Sequence, residues 1–223
     1  MKVFRRENRL SWILTAVMLA AALTAYPSLP DQIPIHFNAE GAIDGTGPRI
    51  LIFLMPAVAA LILFLGELTR QIDPKRENYN RFKQHYYLIF FGCSLLFFVI
   101  ELYTIAVCFH PELEDSFSMG QWMPVFVGAL IALCGNILPK FKPNYFAGIR
   151  TPWTLADPNV WYLTHRFTGK VWFVGGILLM SVSFLSGSMK TVLTLGIFIL
   201  LIFIPLLYSY LAYQKEQKHK KEK

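Results

Sequence analysis

Trp161 and His165 stand four residues apart, so on a helix they would share a face, with Arg166 beside them and Arg150 shortly before. A histidine can act as a general base and two guanidinium groups can hold a phosphate. No second acid and no nucleophile is placed beside His165, however. The chain also has no HExxH, no GxSxG, no phosphate loop and no carboxylates paired at a catalytic spacing. His36 and Asp44, with His110 and Glu112, are residue types that zinc accepts, but their spacing is not diagnostic and solvated loop side chains explain them as well. Glu101 is different. It interrupts a long apolar run, where an ionisable group is costly and marks a functional candidate, or else a glutamate hydrogen-bonded between helices.

The elements that must position these residues are membrane spans. The chain has 223 residues, 55% of them hydrophobic and 16% charged, with a mean hydropathy of +0.44. A globular domain is less apolar and about a quarter charged. Taking roughly 20 apolar residues per crossing, six spans are expected: Leu10 to Tyr26, Ile50 to Leu68, Tyr86 to Phe109, Gln121 to Leu138, Val171 to Gly187 and Thr191 to Tyr213. Cys93, Cys108 and Cys134 all fall within spans and form no CxxC, so they are expected to be small buried hydrophobes rather than a disulfide framework.

The loop charges alternate. Lys2, Arg5, Arg6 and Arg9 outweigh Glu7 before the first span; Asp31, Glu40 and Asp44 outweigh Arg49 after it. The 69–85 loop is basic, His110 to Gly120 is acidic, 139–170 is basic and the tail carries five lysines. Basic loops stay in the cytoplasm, which predicts both termini inside. The net charge of +7 then reflects topology and attraction to anionic lipid more than nucleic-acid binding. The start also has the look of a signal peptide, but Leu23 is bulky at the −3 position and a retained first span is expected.

In the first outer loop Ile33, Ile35 and Phe37 alternate with polar or proline residues, which predicts a short strand with one apolar face. "NAEG" then suits a three-residue hairpin loop from Asn38 to a left-handed Gly41, with Ala42 to Asp44 pairing back and "GTGP" breaking the chain. His36 and Asp44 would face each other across this hairpin. Glu67 is expected to pair with Arg70.

On the cytoplasmic side Pro139 should stop the fourth span, and Pro152 should hold Thr151 extended in a non-helical "GIRTPWTL" loop. Asp157 before Pro158 reads as an N-cap, opening a helix that runs through Trp161 and His165 into the fifth span. Trp153, Trp161 and Tyr162 suit the headgroup level. By composition alone this stretch is an interfacial belt stapling spans four and five; the sharper alternative is a recognition surface.

"CGNILPKFKPNYFAGIRTPWTLADPNVWYLTHRFTGKVW" resembles the signature region of the SdpI family of bacterial immunity proteins. The resemblance is carried by Gly135, Asn136, Asn144, Gly148, Arg150, Thr151, Pro152, Trp153, Trp161, His165 and Arg166 among others, and "LPDQIPIHFNAEGAIDG" is similar to a domain of unknown function often found upstream in such proteins. The resemblance implies a non-enzymatic plasma-membrane protein, without cofactor or metal, that protects its cell from a secreted toxic peptide. It also implies a signalling role in which a cytoplasmic transcriptional repressor is retained at the membrane.

The expected architecture is an all-α integral membrane protein, a six-transmembrane-helix bundle with a small extracytoplasmic β-hairpin-like loop. Residues 1–120 form an N-terminal membrane region with outer loop 27–49, residues 121–213 a second membrane region with the cytoplasmic signature loop 139–170, and residues 214–223 a basic tail. Two rival readings stand beside immunity: a small membrane transporter or export component, and an integral-membrane enzyme acting on lipid or envelope precursors.

Overall fold

The structure, a computed structural model, describes residues 5–38 and 41–222. Its helices are α1 (Arg9–Ala25), α2 (Leu54–Ile72), α3 (Lys83–Phe109), α4 (Leu113–Ser116), α5 (Met119–Ile137), α6 (Pro152–Ala156), α7 (Pro158–Val182) and α8 (Gly187–Lys221). Strands β1 (Gln32–Phe37) and β2 (Ile43–Pro48) form a two-stranded antiparallel sheet between α1 and α2.

Among the described residues five helices are long and apolar enough to cross a membrane: Arg6–Ser28, Arg49–Ile72, Lys83–Phe109, Met119–Lys140 and Gly187–Lys221. The helix expected to run from Asp157 into the fifth span forms as α7, which covers that span from Val171 to Val182, while Gly187 already opens α8. Helix α7 opens with a polar turn and buries Thr164, His165 and Thr168, so it is not among the five. Of these, His165 is hydrogen-bonded through both ring nitrogens, and all three are buried where α7 lies against α5 and α8.

Glycines make the α5–α7 contact close. Gly128, Ala132 and Gly135 recur on one face of α5. A Cβ on Gly135 would stand 2.4 Å from the backbone nitrogen of Phe173, and one on Gly128 would stand 2.6 Å from the Gly176 carbonyl oxygen. Lipid tails are as apolar as leucine, so membrane helices associate through such close backbone packing.

The hairpin forms with changes of detail. Asn38 donates its N–H to the Ala42 carbonyl at 2.9 Å, and its side chain accepts the Ala42 N–H at 2.9 Å. Gly41 has φ +95°, the positive region expected of the turn-closing glycine; Ala39 and Glu40 of the turn lie outside the described residues. The strand continues through "GTGP" rather than breaking there, since Gly47 and Pro48 pair with Ile33 and Gln32. The single apolar face is not kept either. Ile33 is 1% exposed but Ile35 is 51% exposed, because two irregularities in register between Pro34 and Phe37 turn the strand.

Two further expectations need correction. "GIRTPWTL" is not wholly irregular: Thr151 is extended, but Pro152–Ala156 form α6, capped by Thr151 Oγ1 accepting the Thr154 N–H at 3.2 Å. Trp161 is not an exposed anchor. It is 1% exposed, stacked on His165 with ring centroids 4.0 Å apart, inside an aromatic core with Tyr79, Phe82, Tyr86 and Phe141. The lysine-rich tail continues α8 as helix to Lys221.

Candidate functional site

The residues singled out in the sequence fall into two groups at opposite ends of α3. Lys83 and Tyr86 lie at the signature-loop end, Phe109 at the hairpin end.

At the first end, Asn144 organises the loop between α5 and α6. It is fully buried. Its Oδ1 accepts the N–H groups of Phe146 (2.9 Å) and Ala147 (2.6 Å), and its Nδ2 donates to the carbonyls of Lys142 and Ala147, both at 2.9 Å. An Asn side chain with both ends bonded to nearby backbone replaces the ladder that this irregular segment lacks. Tyr79 then donates to Asp73 Oδ2 at 2.9 Å and to Asn144 Oδ1 at 3.2 Å, and Tyr145 donates its N–H to Asp73 Oδ2 at 2.9 Å. The α2–α3 connection is thus locked onto the signature loop. Burial, together with the bond to Asp73, raises the Tyr79 hydroxyl above its ordinary range, keeping it a donor.

His165, fully buried, holds the second half of the loop. Its Nε2 accepts the Ile149 N–H at 3.1 Å and its Nδ1 faces the Trp161 carbonyl at 2.8 Å. The two partners assign a neutral ring protonated on Nδ1. Gly148, at φ +102°, lets the backbone pass: a Cβ there would stand 2.3 Å from His165 Nε2. With both ring nitrogens engaged and buried, His165 is not poised as a base, and the arrangement reads as a clamp on loop geometry.

Arg150 and Arg166 do not converge on one point among the described contacts. Arg150 donates to the Tyr145 carbonyl at 3.0 Å and is otherwise exposed; Arg166 donates to the Tyr162 hydroxyl at 3.0 Å and is exposed. Trp153 is half-buried against Tyr210, Thr151 is buried in its cap, Pro152 is exposed at the first turn of α6, and Asn136 is exposed at the end of α5. Asp157 caps α7 as expected, accepting from the N–H groups of Asn159 (2.7 Å) and Val160 (3.4 Å), and it also receives Lys220 from the tail at 2.6 Å.

At the other end, His36 Nδ1 and Asp44 Oδ1 meet across the hairpin at 2.5 Å, and His110 Nδ1 lies 3.1 Å from Glu112. These pairs stay separate. Among the described residues no three His, Cys, Asp or Glu side chains gather as a metal site would require. Glu101 is 1% exposed, and among the described residues neither of its carboxylate oxygens has a hydrogen-bond partner. It lines a cavity of about 710 Å³ bounded by β1, the starts of α2, α5 and α8, and the hairpin-end half of α3.

Sequence reasoning missed three positions. Glu67 does more than pair with Arg70: it is fully buried and both its oxygens accept from Arg5 Nε, at 2.9 and 3.0 Å, while Tyr87 donates to it as well. Asp73 and Tyr79 sit in a basic loop where nothing in the local pattern distinguishes them. The only available signal was a carboxylate and a tyrosine in a segment otherwise rich in cations.

The model of the SdpI/YfhL protein family matches residues 140–209, which hold the signature loop, α6, α7 and most of α8. A domain of unknown function, DUF1648, matches residues 13–60, from α1 through the hairpin to the start of α2. The chain is similar to immunity protein SdpI of Bacillus subtilis (strain 168), with 27% identity over 210 residues, covering 94% of this chain and 97% of that protein. No solved structure matches. With its long apolar helices the chain is a membrane protein, and its segment 140–209 is similar to the SdpI/YfhL protein family, the likeness that the signature loop indicated.

Proposed function

We propose that this chain is a multi-pass plasma-membrane immunity protein that protects a bacterial cell from a secreted toxic peptide. The observation that carries the reading is the similarity to immunity protein SdpI, which extends over nearly the whole length of both chains rather than over the signature alone. The reading is non-enzymatic, and the engagement of both His165 nitrogens supports it.

The topology that goes with it has six crossings, α7 included, with both termini in the cytoplasm. Helix α7 has 25 residues, about 37 Å at about 1.5 Å per residue. It runs from the signature-loop end at Trp161 to Leu179 beside the cavity, so it traverses the bundle although its first half is too polar to face lipid. Five crossings would place the two basic termini on opposite sides, against the charge rule. The hairpin and cavity then face outward, where a secreted peptide arrives. The signature loop faces inward, where its exposed Arg150 and Arg166 offer guanidinium groups to a cytoplasmic repressor.

Two measurements test this. Expression in a sensitive bacterium should raise survival against at least one peptide of a panel of secreted toxic peptides; no gain against any of them refutes immunity. In a cysteine-free variant, a cysteine at Asp31 should react with an impermeant maleimide in intact cells and one at Trp153 only after permeabilisation. Labelling of Trp153→Cys from outside overturns the topology without touching the immunity result.

A further inference from the structure

The cavity at the hairpin end holds a buried carboxylate, Glu101. Among the described residues both of its oxygens lack a partner, and the hydroxyl of Thr194 in the same lining lacks one too. A buried polar group without a hydrogen bond costs on the order of 1–3 kcal/mol, more when charged, so such a group is expected to have a partner that the chain alone does not supply. Lys190 also lines the cavity, but its Nζ donates to the Gly120 carbonyl at 2.6 Å.

The walls say what kind of molecule enters. They are largely apolar, from residues such as Met55, Met123, Val127 and Phe198. About 710 Å³ lies within the range of pockets that take a drug-sized ligand or a few side chains. One wall is β1, and residues 33–38 line the space consecutively while no residue of β2 does. Successive strand residues point to opposite faces, so a wall made by one face would show every second residue. Consecutive lining means that β1 meets the cavity along its edge, and in the two-stranded sheet that edge has no neighbouring strand among the described residues. An unpaired strand edge is a template for an extended peptide. The surroundings favour a cationic one: Asp31, Glu112, Glu114 and Asp115 lie in the connections at this end, with Arg49 and Lys190 as the cations among them.

Resting on the immunity reading, the geometry points to this cavity as the binding site for an apolar segment of the toxic peptide. The segment lies extended along the free edge of β1, with an ammonium or guanidinium group of the peptide paired to Glu101.

The test begins with the survival panel, using synthetic peptides and the full chain. If the wild-type chain opposes none of them, the immunity reading fails. A peptide that it opposes becomes the probe. Glu101→Gln and the cavity-filling Val127→Trp, compared at equal membrane abundance, are then expected to lower the tolerated probe concentration at least tenfold. A benzophenone-bearing probe should cross-link to β1, α3 or α5 of the purified chain in phosphatidylglycerol nanodiscs. A neutral version, acetylated at its amino terminus, with norleucine for lysine and citrulline for arginine, should cross-link at least tenfold less to wild type. Toward Glu101→Gln the neutral and cationic probes should be alike. Wild-type protection by both variants, or cross-links elsewhere on the chain, overturns the site while leaving immunity intact. Equal loss for the neutral probe in wild type and Glu101→Gln removes the pairing. Abolition of cross-linking by equimolar phosphatidylethanolamine assigns the cavity to lipid and overturns the peptide site. Where neither variant reaches the membrane, the wild-type cross-link map decides.

Discussion

Tyr79 and Asn144, 65 residues apart in the chain, share a buried hydrogen bond of 3.2 Å, and through it the α2–α3 connection and the signature loop become one unit. Asn144 is the more consequential partner, because four other polar contacts of the loop also end on it. Asn144→Ala leaves buried backbone N–H and C=O groups without partners, at about 1–3 kcal/mol for each that water cannot reach. The expected outcome is a lower Tm in detergent and faster proteolysis between residues 141 and 151. An unchanged Tm and cleavage pattern would show that the loop is held elsewhere.

Gly148 and His165 form the second lock. Gly148→Ala places a side chain at a positive φ, which costs about 1–2 kcal/mol, and drives its Cβ onto His165 Nε2. The variant should lose the Ile149 bond and be clearly destabilised. Adding His165→Ala to it should cost less than His165→Ala costs alone, since the clash and the bond disappear together. Simple additivity of the two Tm changes argues against direct coupling.

Arg150 tests whether the exposed loop face recognises anything. One of its N–H groups is committed to Tyr145, and the rest of its planar fork is free in solvent. Lysine keeps the charge and loses the fork. If the face is a recognition element, Arg150→Lys should impair protection or signalling at normal membrane abundance, and Arg150→Ala should be little worse. Full function in Arg150→Lys with loss only in Arg150→Ala reduces Arg150 to a topological charge.

The clasp between Asp157 and Lys220 should respond to acid. The hydrogen bond from Lys220, helped by the N–H groups of Asn159 and Val160, holds the Asp157 carboxyl below the usual carboxylate range. An unfolded aspartate titrates at about 3.9. The unfolded chain therefore takes up its proton first, and the contribution is complete at neutral pH and lost as pH falls below about 4. Tm measured from pH 7 down to pH 3 should drop less in Asp157→Asn than in the wild type. Parallel curves would leave the cap without a role in acid sensitivity.

Much of the outline was legible in the residues themselves. Apolar runs bounded by basic and acidic loops determine where long helices lie, because hydrocarbon admits only backbones bonded within their own segment. The Asp157 cap, the positive φ of Gly41 and the meeting of His36 with Asp44 follow from local rules that span a few residues. The likeness to the SdpI/YfhL family was legible too, in the signature from Gly135 to Phe167. What the sequence alone did not reveal depends on contacts between distant segments. The apolar run from Val171 and the Asp157 cap announce the two parts of α7, but only its packing against the glycine face of α5 and against α8 shows how Thr164, His165 and Thr168 are buried. Trp161 has the composition of an interfacial anchor, yet Phe141, twenty residues earlier, accepts its indole N–H inside the core. Asp73 and Tyr79 look like ordinary loop residues until Asn144 arrives beside them. Glu101 stood out from the start as a charge in an apolar run. Whether such a group is paired, wetted or left open is settled by the helices around it, and only the tertiary structure places it unpartnered in a cavity beside the free edge of β1.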